Sequence, residues 1–332
     1  METYRRYVGM DVSARSLSIS VDAHKPFMVP QTPSGWLNMI SRLETPGYTA
    51  AQTLIVMEAT GPYSLKPALA LHKAGFAVSI INPLKSYYFA RTLLRNAKTD
   101  NMDAQMLAHY AVQFQPTRWT PPPPIHRDLY ERLVQRQTLV DIRQQLRNQH
   151  YGLERGGKTV PEVARRLKEL LDVVQAQVDT VERELHQLLH NDTSWRENAQ
   201  LLLTIKGVGV ITAAWLLMAT QNFAFTDSAT ELAAYCGLVP YARESGHRLR
   251  GKRRVRYTGS KRLRTVLYLA TLSGAQHNPV LKEFYDRLRA RGKPMKVARI
   301  ATARKLVYLV WGVVSKGQPF DAGYRKCQRV SV

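Results

Sequence analysis

The sequence is poor in cysteine and has no long apolar run. Two of its 332 residues are cysteines, Cys236 and Cys327, too few for a disulfide framework or a cysteine-built zinc site. The longest uncharged apolar stretch, 207–219, is shorter than the roughly 20 residues of a transmembrane helix. The first residues lack the apolar segment and cleavage site of a signal peptide. We therefore expect a protein of the reducing cytoplasm that has no membrane partner.

Acidic residues are scarce, above all in the C-terminal part. The chain has 48 lysines and arginines against 25 acids, a net charge of +23. Residues 241–332 hold 23 basic and 4 acidic side chains and so carry +19 of that charge. Such an imbalance predicts a polyanionic partner or an anionic membrane surface. The hydrophobic content of 45% excludes a disordered chain and is enough for the cores of two modest domains.

The first 113 residues alternate β-rich runs with helical patterns, which predicts an α/β layer fold. Helical spacing covers 34–43 and 63–74. The predicted strands are Tyr7–Met10, Leu17–Asp22, Thr53–Met57 and Ala77–Ile81.

The rest of the chain is predicted to be mainly helical. The run Pro121–Pro124 cannot lie inside a helix and indicates a linker. Apolar residues from Val163 to Leu188 then recur every three or four positions, as in a coiled-coil seam. This seam could pack within its own domain or join copies of the chain. The predicted domains are 1–120, 121–195 and 196–332.

Four acids of the acid-poor first domain occupy positions that are typical of a ligand-binding site. Asp11 and Glu58 each follow a predicted strand, and Asp100 and Asp103 lie three apart where a helix begins. Residues three apart share one helix face, and ligands of open α/β sheets gather at strand ends. Clustered carboxylates repel by roughly 4 kcal/mol per pair, and Mg²⁺, a hard cation, is their natural counterion. The alternative is structural, with Asp100 as a helix cap and Asp103 as a favourable first-turn acid.

Two features of the C-terminal part predict contacts with phosphates. The turn containing Lys206, Gly207 and Gly209 precedes an apolar helix and is similar to a helix-hairpin-helix motif. Nine basic residues then occur among the eighteen of 247–264, with no acid among them. A segment of this density favours tracking of a nucleic-acid backbone over a solvated face or membrane adhesion. The nine are Arg248, Arg250, Lys252, Arg253, Arg254, Arg256, Lys261, Arg262 and Arg264.

Ser245 lies at the start of this basic run. A serine among arginines can attack phosphorus if its proton is removed and the developing charge is stabilised. Ser260, Tyr241 and Tyr257 are rival nucleophiles, and Ser245 could also be an ordinary turn residue. A second motif, GLERGGKT at 152–159, matches the P-loop pattern, but it follows a polar helical segment where a P-loop follows a buried strand. We therefore do not interpret it as a nucleotide site.

Together, the motifs resemble those of insertion-sequence transposases that join a DEDD domain, similar to the RuvC Holliday-junction resolvase, to a serine-bearing transposase domain. The resemblance covers nearly the whole chain. It rests on GMDVS, MEATGPY, INP followed by KTDNMDAQMLA, TIKGVGVITA, LAAYCGLVP, and ESG before the basic run.

The resemblance implies an RNase H-like fold, with Asp11, Glu58, Asp100 and Asp103 as ligands of Mg²⁺ and Ser245 as the nucleophile. It also implies donor and target DNA as substrates, a bridge or seeker RNA as guide, and a homo-oligomer in which dimers assemble into a tetramer. Two alternatives remain open: a resolvase-type endonuclease that uses water as nucleophile, and a non-catalytic nucleic-acid-binding protein.

Overall fold

The computed structural model of the protein describes residues 4–44, 46–60, 63–92, 100–157, 160–193, 195–224, 226–245, 249–255 and 259–323. Within these ranges, the side chains at 84, 100, 101, 241–245 and 249–255 are outside the description. The chain divides into two compact units, Met1–Pro121 and Pro122–Val332. The boundary therefore falls in the proline run, while the division expected at residue 195 stays a prediction.

A five-stranded mixed sheet organises the first unit. Its strands are β1 (Arg6–Val12), β2 (Ser16–Val21), β3 (Phe27–Pro30), β4 (Thr53–Glu58) and β5 (Ala77–Ile81). The four strands expected from the sequence are confirmed, and the order across the sheet is β3-β2-β1-β4-β5. β1, β2 and β3 are antiparallel neighbours, while β4 and β5 continue the sheet parallel to β1.

Helices cover both faces of this sheet. Val8 and Met10 of β1 point to one face, where they are buried in a cluster with Met39 of α1 and Leu71 of α2. The opposite face of the sheet is covered by α4, whose Leu107 is buried in a second cluster. Each central strand is therefore buried on both sides, which explains its nearly continuous apolar sequence. The helices are α1 (Pro33–Leu43), α2 (Leu65–Lys73), α3 (Pro83–Thr92) and α4 (Asp100–Phe114).

The second unit is mostly helical, as expected, with one β-hairpin. Helices α5 and α6 form a long antiparallel hairpin, and the apolar α8, buried along most of its length, lies in the core with the base of that hairpin. The helices are α5 (Pro124–Arg155), α6 (Pro161–Asn191), α7 (Arg196–Leu203), α8 (Val210–Thr220), α9 (Ala229–Tyr235), α10 (Lys261–His277), α11 (Pro279–Ala290) and α12 (Met295–Lys316). In the described ranges, no helix is both long and apolar enough to cross a membrane.

The apolar seam of α6 is buried over only part of its length. Val178, Val181 and Leu185 are buried, whereas Val163 and Leu170 are exposed. The buried part packs into the core of the second unit, so this part of the seam serves the chain's own fold.

The β-hairpin was not predicted from the sequence. Its strands are β6 (Pro240–Ser245) and β7 (Leu249–Val255), which pair antiparallel. Arginines and lysines dominate β7, so the alternation of apolar and polar residues that marks a strand is missing there.

Candidate active site

Asp11 and Glu58 lie side by side near the C-terminal ends of the inner strands β1 and β4. β1 and β4 run parallel, and Met10 pairs with Met57. Asp11 and Glu58 are the next residues on the two neighbouring strands, so their Cα atoms are separated by on the order of 5 Å, the spacing between strands. The parallel arrangement thus brings together two acids that are far apart in sequence.

Both acids belong to the sheet face that α4 covers. Along β4, Leu54 and Val56 are buried on that face, and strand alternation places Glu58 there as well. In β1, a Cβ added at Gly9 would overlap the carbonyl oxygen of Ala104 in α4, so Gly9 faces the helix. Asp11, two residues further along β1, shares the face of Gly9.

Helix α4 brings the other two acids toward this edge. Asp103 is half-buried and lies four residues before Leu107, which is buried against the sheet, so both occupy one side of the helix. At the other end of α4, Nε2 of Gln115 donates to Oη of Tyr7, near the start of β1. The helix therefore runs opposite to β1, and its first turn lies toward the Asp11 end. Asp100 is the first residue of α4.

The Glu58 carboxylate is held by a serine that the sequence analysis missed. Oγ of Ser86 donates to Oε2 of Glu58 at 2.9 Å and also lies 2.9 Å from the carbonyl oxygen of Pro83. Ser86 is buried in the first turn of α3, the helix that follows β5. Its position three residues after the INP motif was the available signal, but nothing in the local pattern connects it to Glu58.

The donor types fit a hard divalent cation, although the described side chains do not form a complete cage. Carboxylate oxygens are the ligands that Mg²⁺ prefers; Asp11 and Glu58 share one sheet face, and Asp103 belongs to the helix that covers this face. Among the described side chains, which do not include that of Asp100, no three histidine, cysteine or acidic groups lie close enough together to hold a metal ion. The four-carboxylate metal site therefore stays a prediction.

Ser245 lies at the end of β6, directly before the connection to β7. Its backbone pairs with that of Leu249, and Glu244 pairs with Arg250. The position is thus at one end of a two-stranded ribbon, beside its connection, and the alternative of an ordinary turn residue stays open. Its role as nucleophile stays a prediction.

The described basic residues of 247–264 belong to two structural elements. Arg250, Lys252, Arg253 and Arg254 belong to β7, and Lys261, Arg262 and Arg264 to the first turn of α10. Arg248 and Arg256 lie outside the described residues. Nη1 of Arg264 donates to the carbonyl oxygen of Gly237 at 3.2 Å, and the guanidinium of Arg262 lies 5.6 Å from the ring centre of Trp215. These two arginines therefore have contacts within the fold.

The glycine turn before α8 has a packing role. Gly207 has a φ of +106°, and a Cβ there would lie 2.7 Å from Cα of Gly274 in α10. The carbonyl of Lys206 accepts a hydrogen bond from Nδ2 of Asn278, which also caps α11. Gly209, by contrast, has open space where a Cβ would lie. Packing thus accounts for Gly207, while the predicted binding role of Lys206, Gly207 and Gly209 stays untested.

The P-loop-like motif begins in a helix. Gly152 and the three residues after it form the last turn of α5, whereas a P-loop follows a buried strand. The start of GLERGGKT therefore lacks the structural setting of a nucleotide site, as its sequence context predicts.

Two family models match the chain. The model described as "Transposase IS116/IS110/IS902 family" matches residues 199–286, and the DEDD transposase model of the IS110 group matches residues 8–153. Among curated proteins, the pilin gene-inverting protein of Moraxella bovis is 26% identical over 324 residues, 96% of this chain and 98% of that protein. An uncharacterised protein of insertion element IS900 from Mycobacterium paratuberculosis is 33% identical over 155 residues, 46% of this chain and 37% of that protein.

The two models cover the acids of the first unit and the glycine turn, Ser245 and basic run of the second. Together they span more than half of the chain. The protein therefore belongs to the IS110/IS116/IS902 family of transposases, with an N-terminal DEDD transposase domain and a C-terminal transposase domain.

Proposed function

We propose that the protein cleaves and exchanges DNA strands in a Mg²⁺-dependent reaction that moves an insertion sequence through a phosphoserine intermediate. The observation that carries the proposal is the placement of Asp11 and Glu58 on neighbouring strands, on the face covered by the acid-bearing helix α4. The relatives named pilin gene-inverting proteins, which match nearly the full chain, support a reaction on DNA.

The first unit would hold the metal. The order β3-β2-β1-β4-β5, in which β2 runs antiparallel to the other four strands, supports the proposal of an RNase H-like fold. Asp11, Glu58, Asp100 and Asp103 would bind Mg²⁺, and the Ser86 hydroxyl would fix the orientation of Glu58. When bound, the metal would neutralise charge on the phosphate that is attacked.

The second unit would supply the nucleophile and the DNA contacts. Oγ of Ser245 loses its proton and attacks a backbone phosphate, forming a phosphoserine ester as one strand end leaves as a hydroxyl. The hydroxyl of another strand end then attacks the ester and restores both the serine and a phosphodiester. Because the phosphodiester is conserved, no nucleotide hydrolysis is needed, in accord with the helical setting of GLERGGKT.

The same proposal includes a guide RNA and an oligomer. The positive charge of residues 241–332 supports contacts with more nucleic acid than one duplex. The glycine turn at Lys206–Gly209 would act as a helix-hairpin-helix element on DNA. We further propose that dimers assemble into a tetramer in which one subunit's serine acts with another subunit's acids.

Covalent trapping tests the nucleophile. Purified protein with its copurifying RNA, donor DNA, target DNA and Mg²⁺ should form a protein–DNA adduct and exchange strands. Ser245→Ala should abolish the adduct, whereas Ser273→Ala, at an exposed position of α10, should not. An adduct formed by Ser245→Ala would refute the assignment, and DNA cleavage by the wild-type protein without an adduct would favour the water-dependent endonuclease.

The acids require a separate test. Asp11→Asn and Glu58→Gln should each abolish strand exchange while DNA binding persists, because the basic residues remain. Full activity of Asp11→Asn would point to a nucleic-acid-binding protein that does not use these acids.

A further inference from the structure

The half of the α5–α6 hairpin next to the core has its charges paired across the two helices. Nε of Arg132 lies 3.0 Å from Oε2 of Glu184, and Nη2 of Arg136 lies 2.6 Å from Oε1 of Glu182. Arginines of α5 therefore face glutamates of α6, and the two helices are held in a fixed antiparallel register.

This pairing ends further along the hairpin. Nη1 of Arg143 donates to Oε1 of Gln175, a neutral partner. The register set by Arg136 with Glu182 and by Arg143 with Gln175 moves one residue back along α6 for each residue forward along α5. Arg147 is then level with Leu171, and His150 with Lys168. The α6 residue level with each of these α5 residues thus changes from glutamate to a neutral residue and then to lysine, and the carboxylate near His150 is Glu154 of its own helix, 3.5 Å away.

A cavity of about 430 Å³ lies between the helices in this region, and we call it the distal groove. Its lining includes the basic side chains of Arg143, Arg147, His150 and Lys168, with Asp172 as the one carboxylate among its described lining residues. The side chains of Arg147 and Lys168 are exposed and make no ion pair or hydrogen bond with any other residue in the described ranges. The groove therefore offers cationic donors that the fold itself does not use.

We propose that the distal groove binds the phosphodiester backbone of a nucleic acid. Guanidinium and ammonium groups match phosphate oxygens, and a phosphate would give the Arg147 and Lys168 side chains the anionic partner that the described residues do not supply. Leu171 is the one apolar residue in the described lining, and a lining so rich in polar and charged residues disfavours a protein partner. Asp172 could accept a hydrogen bond from a ribose 2′-hydroxyl, a group that DNA lacks. The groove residues include none of the four acids, not Ser245, and none of the basic residues that the sequence assigns to nucleic-acid binding.

Salt-dependent binding tests the groove. Arg147→Gln with Lys168→Gln is compared with Arg127→Gln and Arg165→Gln, which remove the same charge from the same two helices. The control arginines are exposed and pair with Glu131 and Glu169 four residues along their own helices. Fluorescence anisotropy of the full-length protein is measured with a labelled DNA duplex and with a labelled RNA hairpin, from low to high salt.

If the groove binds nucleic acid, the groove variant should bind the labelled probe several-fold more weakly than the wild-type protein. The slope of log K for probe binding against log salt concentration should also fall by about 2, about one unit for each lost phosphate contact. The control should keep the wild-type slope. A loss confined to RNA identifies the groove as an RNA site, a loss confined to DNA as a DNA site, and a loss with both as a general backbone site.

Equal losses in the groove and control variants, or no loss with either probe, would overturn the proposal. Photochemical cross-linking of the wild-type protein gives a second measurement that does not depend on the folding of variants. Adducts should map to the peptides that contain Arg147 or Lys168, and their absence from both peptides would also overturn it. Binding in the groove needs no catalysis, so a negative result here leaves the proposed reaction standing. Nucleic acid should also still bind in the groove of a catalytically inactive Asp11→Asn protein.

Discussion

The hydroxyl of Ser86 lies 2.9 Å from Oε2 of Glu58 and joins the first turn of α3 to the end of β4. A buried hydroxyl that also contacts the Pro83 carbonyl has little freedom to move, so the carboxylate is held in one orientation. This hydrogen bond thus joins α3, which carries none of the four acids, to the end of β4, where Glu58 lies beside Asp11.

Ser86→Ala should weaken catalysis by disturbing the position of Glu58. A hydrogen bond to a charged group contributes about 1.5–3 kcal/mol, so we expect a loss of roughly tenfold or more in strand exchange, together with a higher Mg²⁺ concentration for half-maximal activity. Thr92→Ala, which removes a hydroxyl of the same helix that donates to the backbone of Phe89, should leave the Mg²⁺ requirement unchanged. An unchanged requirement in Ser86→Ala would contradict the positioning role.

Gly9→Ala should separate α4 from β1. The added methyl would overlap backbone atoms of Ala104 and Ala108, which cannot rotate away as a side chain can. Overpacking against backbone should cost about 3 kcal/mol or more in the free energy of unfolding, measured by chemical denaturation. Gly312→Ala in α12, where a Cβ meets open space, should instead gain about 0.5–1 kcal/mol. Similar effects at the two positions would argue against the close contact of α4 with β1.

His126 should make the second unit less stable in acid. Burial lowers the pKa of this imidazole from 6.5, although a hydrogen bond with the Met218 backbone partly opposes the shift. Its place in the first turn of α5 also disfavours a positive charge. Because the pKa of His126 is lower in the folded state, the unfolded chain takes up the proton more readily. The contribution of neutral His126 to the free energy of unfolding is therefore complete above about pH 6.5 and is lost as the pH falls below that value.

His126→Gln should therefore lose less stability than the wild-type protein between pH 7 and pH 5, measured by denaturation at each pH. The same pH slope in both proteins would show that His126 does not carry the effect.

Cys236 should resist alkylation in the folded protein. Burial raises the pKa of its thiol to about 12, so the reactive thiolate is scarce at neutral pH. Treatment with iodoacetamide at pH 7.5, followed by peptide mapping, should find Cys236 unmodified until the protein is unfolded in guanidinium. Rapid modification of the native protein would show that this residue is more accessible than its packing indicates.

The sequence was most informative where local pattern and burial agree. Strands β1, β2, β4 and β5 are rich in β-branched and other apolar residues, and each was located to within two residues at either end. The convergence of Asp11 and Glu58 also followed from the sequence, because the ends of parallel strands meet at one edge of a sheet.

Contacts between distant residues could not be inferred in this way. Ser86 is 28 residues from Glu58, and its contact depends on where α3 begins after β5. Strand β3 has only four residues at the edge of the sheet, too few to show alternation. β7 escaped notice because its charge density is typical of a solvated segment, and its partner strand β6 supplies the pairing that makes it a strand.

The register of α5 and α6 sets a distance within the second unit. The rise of about 1.5 Å per helical residue puts Arg147 roughly 21 Å along α5 from Leu133, a buried residue of the core. Because Arg132 and Arg136 form ion pairs with α6, the hairpin fixes the distance between the distal groove and the core of the second unit. A nucleic-acid strand bound in the distal groove would lie at a fixed distance from this core. Lengthening both helices by whole turns would change that distance in steps of about 5.4 Å.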